Sequence, residues 1–292
     1  MLGHVFFVLS PLPKVREQVS VIFTGDCGDW ILGGVSPVKK QFADLPDDAL
    51  VQSHYDNYYN RGPIPEEEHE CFFSEGFYQR IRGKSVDSFR RHYEKVRLPG
   101  STNKAVYFAL RNEALRKSGY GIALLRSQLL PRIPFYDNDL VDFALQVPPA
   151  LRRDRYIQIQ VIKRLAPDLA RVSWQYSGLR IDAPLYQVLI RRGLYRMHQR
   201  LSRRSRGLIP WPYDKEIAPM EFWFRTTLRS WVEDLLLDRR TLDRGYLRGE
   251  AVRRILGQHM TAQKDHSYPI GALISFELWN RLFIDGDSVA ET

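Results

Sequence analysis

The chain has 292 residues, 44% of them hydrophobic and 26% charged, so it can bury a sizeable core without disulfide or metal staples. Lys and Arg number 43 against 34 Asp and Glu, a net charge of +9, which favours anionic partners without choosing among nucleotides, carboxylates, nucleic acid or an acidic lipid face. Its two cysteines, Cys27 and Cys71, make no disulfide framework and no metal-ligand pair, and no segment reaches the ~18 uninterrupted apolar residues of a spanning helix, so the expected compartment is a reducing cytoplasm.

The start holds a short apolar run, Val5–Leu9, with no basic region ahead of it, unlike a secretory signal. Val19-Ser20-Val21-Ile22-Phe23 is β-branched and runs into a glycine-rich loop, which predicts a buried strand. Helices are expected over Asp47–Tyr59, Phe72–Arg82, Val86–Val96 and Asn103–Lys117, with a polar loop at Arg61–Glu70. In Asp139–Val147, Leu140, Phe143, Ala144 and Val147 recur at helical spacing until Pro148-Pro149 stops the helix. Asp154–Leu165, Leu185–Leu201, Glu221–Leu237 and Tyr246–Met260 follow, with a boundary expected at Arg203–Pro212. Tyr268–Ile284 is apolar nearly all round and reads as a helix inside the protein, with Asp285–Thr292 frayed beyond it.

One segment carries chemistry: Thr24-Gly25-Asp26-Cys27-Gly28-Asp29-Trp30-Ile31-Leu32-Gly33-Gly34, directly after the strand. Gly25 and Gly28 permit backbone conformations that turn successive N–H groups toward an anion. Asp26 and Asp29 repel phosphate but can hold Mg2+, which takes one or two carboxylates and completes its shell with water and phosphate oxygens. The competing reading is a tight solvated turn with two exposed acids.

This string resembles the Ser-Gly-x-Gly-x-Asp-Glu-x-x-Gly-Gly motif of the synthetase half of glutamine-dependent asparagine synthetases, with Thr24 for the Ser, Cys27 for a Gly and Trp30 for the Glu. Two more stretches match in order. Arg132-Ile133-Pro134-Phe135-Tyr136-Asp137, continuing to Leu140-Val141-Asp142-Phe143-Ala144 and Pro148, resembles the family's Arg-Val-Pro-Phe-Leu-Asp segment and the helix after it. Asp265-His266-Ser267 with Ala272–Trp279 resembles its C-terminal helix.

The resemblance implies an α/β nucleotide-binding fragment of the ATP-pyrophosphatase type, mainly helical with few strands. Residues 1–150 would be the remnant of the nucleotide-binding core and 151–292 a helical region. It implies ATP-dependent adenylation of an aspartate-like carboxylate, then attack by ammonia. By position Asp29 would bind Mg2+–pyrophosphate, Asp26 would line the activated-substrate pocket, and Thr24, Gly25 and Gly28 would border ATP. The family's upstream Ser-Gly-Gly-x-Asp-Ser loop is not found in the 23 residues before Thr24, and residue 2 is Leu rather than a glutaminase Cys. The expectation is therefore an incomplete site that works with a missing N-terminal half or a separate glutaminase. The family also places a lysine against the leaving pyrophosphate. The register puts Arg155 or Tyr156 there, with Lys163 about two turns away, and assigns the role to none.

Rival readings are a macrolactam-forming relative, a non-catalytic partner-binding remnant and a basic nucleic-acid binder. Arg152–Arg206 holds 14 Lys and Arg against three Asp, yet no nucleic-acid module accompanies it, so a solvated helix with an inward apolar stripe is preferred. Asp265-His266-Ser267 reads as a helix start capped by Ser267 rather than a catalytic triad. Tyr55, Tyr58 and Tyr59 read as packing, and Glu66-Glu67-Glu68 as a solvated loop.

Overall fold

The computed structural model describes residues 11–33, 45–58, 62–174, 178–204 and 219–288. The chain divides into two compact units. One is built from Met1–Asp26, Gln41–Pro134 and Ala218–Thr292, the other from Cys27–Lys40 and Phe135–Ile217. The chain thus leaves the first unit inside the Thr24–Gly34 motif, between Asp26 and Cys27.

The first unit has two apolar centres. Leu50, Val51 and Tyr55 of the Asp47–Tyr58 helix meet Phe89 and Tyr93 of Lys84–Tyr93 and Ala105 and Phe108 of Ser101–Ala109. His54 is buried among them, edge-on to Phe89, Tyr93 and Phe108 at 5.6–5.8 Å between ring centres. The second centre joins Phe72 and Phe224 to Val232 and Leu236 of Arg229–Leu237, Val252 and Ile255 of Gly249–Met260, and Ile270 and Ile274 of Ser267–Asn280. Tyr55 packs in the core as expected; Tyr59 lies outside the described residues.

Most expected helices form, with breaks that local geometry explains. The Phe72–Arg82 expectation becomes His69–Phe72 and Glu75–Ile81, because Phe73 turns extended and bridges to Leu247. Glu221–Leu237 divides into Met220–Arg225 and Arg229–Leu237 at Thr226. The Ser267–Asn280 helix buries Ile270, Leu273 and Ile274, but Tyr268, Trp279 and Phe283 are exposed, which corrects the expectation of burial all round. Nor does Ser267 cap it: the N-cap position is His266, without a side-chain cap bond, and the Ser267 N–H donates to Asp265 Oδ1 at 2.9 Å.

Nor are the described residues 285–288 of the segment expected to fray loose; residues 289–292 lie outside the described residues. Glu277, 2% exposed, accepts from Arg244 at 2.7 and 3.0 Å and from Arg281 at 2.9 Å. Asp285 pairs with Arg240 and Arg244, and Asp287 with Arg240. The neighbouring guanidinium of Arg244 holds the Asp285 carboxyl down at about 2.

The strand forms, as β1 (Val21–Phe23), and pairs in parallel with β2 (Leu130–Arg132), Val21 opposite Leu130 and Phe23 opposite Arg132. Among the described residues this sheet has two strands. The expectation of burial fails. Phe23 is 73% exposed, Leu130 47% and Val21 40%, while Pro131 on the opposite face is buried. Parallel sheets are ordinarily covered on both faces. Here one face is covered and the other is bare.

In the second unit Asp137 caps Asn138–Gln146 by accepting the Leu140 N–H at 3.1 Å, and Val147 turns extended before Pro148, ending that helix as expected. Asp154 and Arg155 take left-handed backbone, so the next helix starts at Tyr156 and runs to Leu165. The Leu185–Arg204 helix does not pack an apolar stripe inward as preferred above: Leu189, Ile190 and Met197 are each more than half exposed.

Candidate functional site

Each part of the Thr24–Gly33 segment is held by its own unit. On the first-unit side, β2 fixes the entrance, with the Thr24 N–H donating to the Arg132 carbonyl at 2.9 Å. The Thr24 hydroxyl is buried and has no hydrogen-bond partner among the described residues. Such an orphaned polar atom ordinarily costs ~1–3 kcal/mol and marks a place where a ligand group or water completes the set. The space around Gly25 is open where a Cβ would point. Asp26 is half-buried, and among the described residues no hydrogen bond or ion pair engages its carboxylate.

On the second-unit side the backbone reverses sharply. Cys27 is buried with φ +70°, and Gly28–Ile31 makes a single helical turn. A Cβ on Gly28 would sit 3.1 Å from the Phe135 ring. The Gly28 carbonyl accepts from the Gln158 side chain at 3.2 Å. Gly33 has φ +92°, and a Cβ there would lie 1.6 Å from the Arg152 carbonyl oxygen, so only glycine fits. The last glycine of the motif, Gly34, lies outside the described residues.

Asp29 carries the polar centre of this part. Arg155 donates to both its oxygens, Nε to Oδ1 at 3.2 Å and Nη2 to Oδ2 at 3.1 Å. The Asp29 side chain remains 49% exposed and that of Arg155 28%. The Arg155 guanidinium also lies over the Trp174 ring, 4.7 Å from its centre. Stacked and forked in this way, it is fixed as a planar donor array, which a lysine would not be.

Of the expected residues, the structure holds Gly28 and Asp29 together in one unit, and Thr24, Gly25 and Asp26 at the end of β1 in the other. It adds Arg155, Gln158 and Trp174. Arg155 was one of two positions opposite the family's lysine, but only its contact with Asp29 distinguishes it from Tyr156. Lys163 makes no hydrogen bond or ion pair with this group. Gln158 and Trp174 carried no sequence signal, being a helix-surface amide and a loop aromatic.

A partly exposed carboxylate beside a free-edged guanidinium fits magnesium-bound phosphate, the acid facing the metal and the arginine an oxyanion. Among the described residues no three His, Cys, Asp or Glu groups converge, so an ion here would be carried mostly by phosphate and water rather than by a protein cage. The Asp265 segment is not such a site. The buried His259 Nδ1 accepts the His266 N–H at 3.0 Å, and His266 Nε2 pairs with Gln258 at 2.7 Å, with no serine hydroxyl in the chain of bonds. Burial, more than neighbouring charge, lowers the pKa of both histidines. No described helix is long and apolar enough to cross a membrane.

No curated protein and no solved structure matches the chain. The family model for asparagine synthase does, over residues 8–171 and 212–281, taking in the Thr24–Gly33 segment, β2 with the Asp137-capped helix, and the C-terminal helix. Matched over well more than half of its length, the chain belongs to the asparagine synthase family, whose domain supports ATP-dependent amide formation in general.

Proposed function

We propose that this chain contributes the pyrophosphate-side acid and nucleotide-bordering residues of an ATP-dependent carboxylate-activating site. The observation that carries this reading is the Asp29–Arg155 pair, in which the family-matched acid holds the residue nearest the family's phosphate-contacting position. The fold frame that goes with it is the ATP-pyrophosphatase type, of which β1, β2 and the loop after β1 would be a part.

In the reaction proposed, a carboxylate oxygen of an aspartate-like substrate attacks the α-phosphorus of ATP. The bond to the β-phosphate oxygen breaks and pyrophosphate leaves. Ammonia then attacks the acyl carbon, losing a proton as AMP departs. Magnesium, when bound with ATP, offsets charge on the departing phosphates. Arg155, already forked and stacked, would donate to a pyrophosphate oxyanion, and Asp29 would be the carboxylate that holds the magnesium. By the family's motif positions, Thr24 and Gly25 would border the nucleotide and Asp26 would line the activated-substrate pocket. Aligned donors and charges count here because adenylation builds negative charge on phosphorus in a site that need not reorganise.

The test is calorimetric titration of magnesium pyrophosphate into the chain and into Asp29→Asn and Arg155→Ala. Measurable magnesium-dependent binding that each substitution weakens at least tenfold is expected. Equal affinity in all three would remove the assignment.

A further inference from the structure

The first unit holds a cavity to which no residue of the Thr24–Gly33 segment contributes. Gly83 joins the Glu75–Ile81 helix to the Lys84–Tyr93 helix, and its φ of +72° turns the chain sharply between them. A Cβ on Gly83 would meet nothing within 4 Å, and the turn borders a cavity of about 340 Å³. That volume stands near the lower end of the ~300–1,000 Å³ typical of small-molecule sites, so it admits a small metabolite and not a dinucleotide.

A second wall comes from a segment that read as a solvated loop. Glu66–Glu68 forms one 3-10 turn after Pro65, and of its three acids only Glu67 is exposed. His69, which also lines the cavity, ties this turn down. Its Nε2–H donates to the Ile64 carbonyl at 3.0 Å, and its ring meets Phe73 edge-on at 5.2 Å between centres. Both walls are thus anchored by fixed backbone rather than by mobile side chains.

The lining has three chemical parts. Arg82, Lys84 and Ser85 are exposed and supply cations and a hydroxyl. Glu66 is partly buried and supplies an acid. Tyr78 and Ile81, from the Glu75–Ile81 helix, add apolar surface. Elsewhere in this unit comparable cations are matched: Arg90 with Asp48, Lys104 with Asp47, Arg248 with Glu75. Among the described residues no ion pair neutralises Arg82, Lys84 or Glu66. Acid and cations therefore border one cavity without reaching each other. Glu66 also acts inward: after burial itself, its charge is among the causes that raise the Tyr55 phenol.

The space between unmatched charges of both signs suits a molecule that carries both. Arg82 can hold a carboxylate through two parallel N–H bonds, with Lys84 and Ser85 adding further donors. Glu66 can accept from an ammonium group. Tyr78 and Ile81 offer packing to a side chain. A bare anion would meet the Glu66 carboxylate as a like charge, and a bare amine would meet the two cations. We infer that this cavity binds a free α-amino acid, its carboxylate at Arg82 and Lys84 and its ammonium at Glu66. The inference is independent of the ATP-site reading, since no residue is shared between the two.

The experiment uses the whole chain. Each common protein amino acid is titrated in turn, alongside acetate, inorganic phosphate and n-butylamine, which carry one sign of charge only. Affinity is read by calorimetry, and location by the backbone amide resonances of Gly83, Lys84 and Ser85. At least one amino acid is expected to bind one-to-one, to shift those amides, and to bind at least tenfold more tightly than any single-charge probe. Glu66→Gln and Arg82→Ala should each weaken that binding at least tenfold with circular dichroism unchanged. Arg80→Ala, which removes a like charge from the same helix but outside the lining, should leave it unchanged, as should Asp26→Asn. Failure of every amino acid to bind overturns the inference. So does acetate or phosphate binding as tightly as the best amino acid, which would make this a simple anion site. Binding that survives Glu66→Gln, or that is lost in Asp26→Asn, overturns it as well, the last because the amino acid would then occupy the activated-substrate pocket.

Discussion

Lowering the pH should loosen the first unit through a single side chain. His54 is fully buried among Phe89, Tyr93 and Phe108, and burial lowers its pKa from 6.5 to about 4. Protonating it in place is unfavourable, because burial among these rings keeps water from the imidazolium, and the Tyr93 phenol, itself raised by burial, stays neutral. A depressed histidine contributes stability that is complete above the unfolded value of 6.5 and is lost as pH falls toward the folded value of about 4. Over the whole window the loss approaches about 3 kcal/mol, at ~1.36 kcal/mol per unit. By pH 5 about 2 kcal/mol of it is gone. His259 and His266 act in the same direction, so the diagnostic comparison is wild type against His54→Leu, which retains the volume and cannot titrate. Urea denaturation at pH 7.5 and 5.0, followed by circular dichroism, gives both slopes. The wild type should lose about 2 kcal/mol more than the variant between these pH values. Parallel losses in the two proteins would show that His54 is not the proton acceptor and that its burial is relieved in solution.

Four other outcomes are expected. Gly33→Ala places a Cβ against the Arg152 carbonyl at a φ of +92° and should cost at least ~3 kcal/mol, read as proteolytic cleavage within residues 135–204 under conditions where the wild type is intact. Glu277→Ala removes a buried acceptor from Arg244 and Arg281, which keep Asp285 and Asp238, and should cost ~1–3 kcal/mol, lowering the melting temperature by roughly 2–12 °C. Asp29→Asn breaks a part-exposed pair and should shift stability by less than ~1 kcal/mol while removing magnesium-dependent pyrophosphate binding in the titration described above. Arg155→Lys keeps the charge but not the fork over Trp174, and should weaken that binding about as much as Arg155→Ala does.

The helical framework was legible wherever a local signal governs: the stop at Pro148, the helix at Asp47, the strand before Thr24. Tertiary contacts decided the rest. Nothing in Phe73 itself announces an extended residue; its bridge to Leu247, far along the chain, imposes one. The apolar ring of Ser267–Asn280 suggested burial on every side because periodicity reports which residues are apolar, not how much protein surrounds them. β1 misled in the same way, since a β-branched run reads as a covered strand whether or not its neighbours are present. In the candidate site, the loop and its acids were visible as a motif. Arg155 reached Asp29 only through two left-handed residues, Asp154 and Arg155, whose backbone no side-chain pattern specifies. Trp174, which fixes that arginine, lies in a loop with no periodicity to read.

The β1–β2 pair also sets an order of events. Its partners, Val21 and Leu130, stand more than a hundred residues apart in sequence. Closing a loop of that length costs on the order of 4 kcal/mol in chain entropy, more than three pairs of strand residues recover alone. The pair must therefore wait until the aromatic cluster around Phe89 and Phe108 has already drawn the intervening chain together.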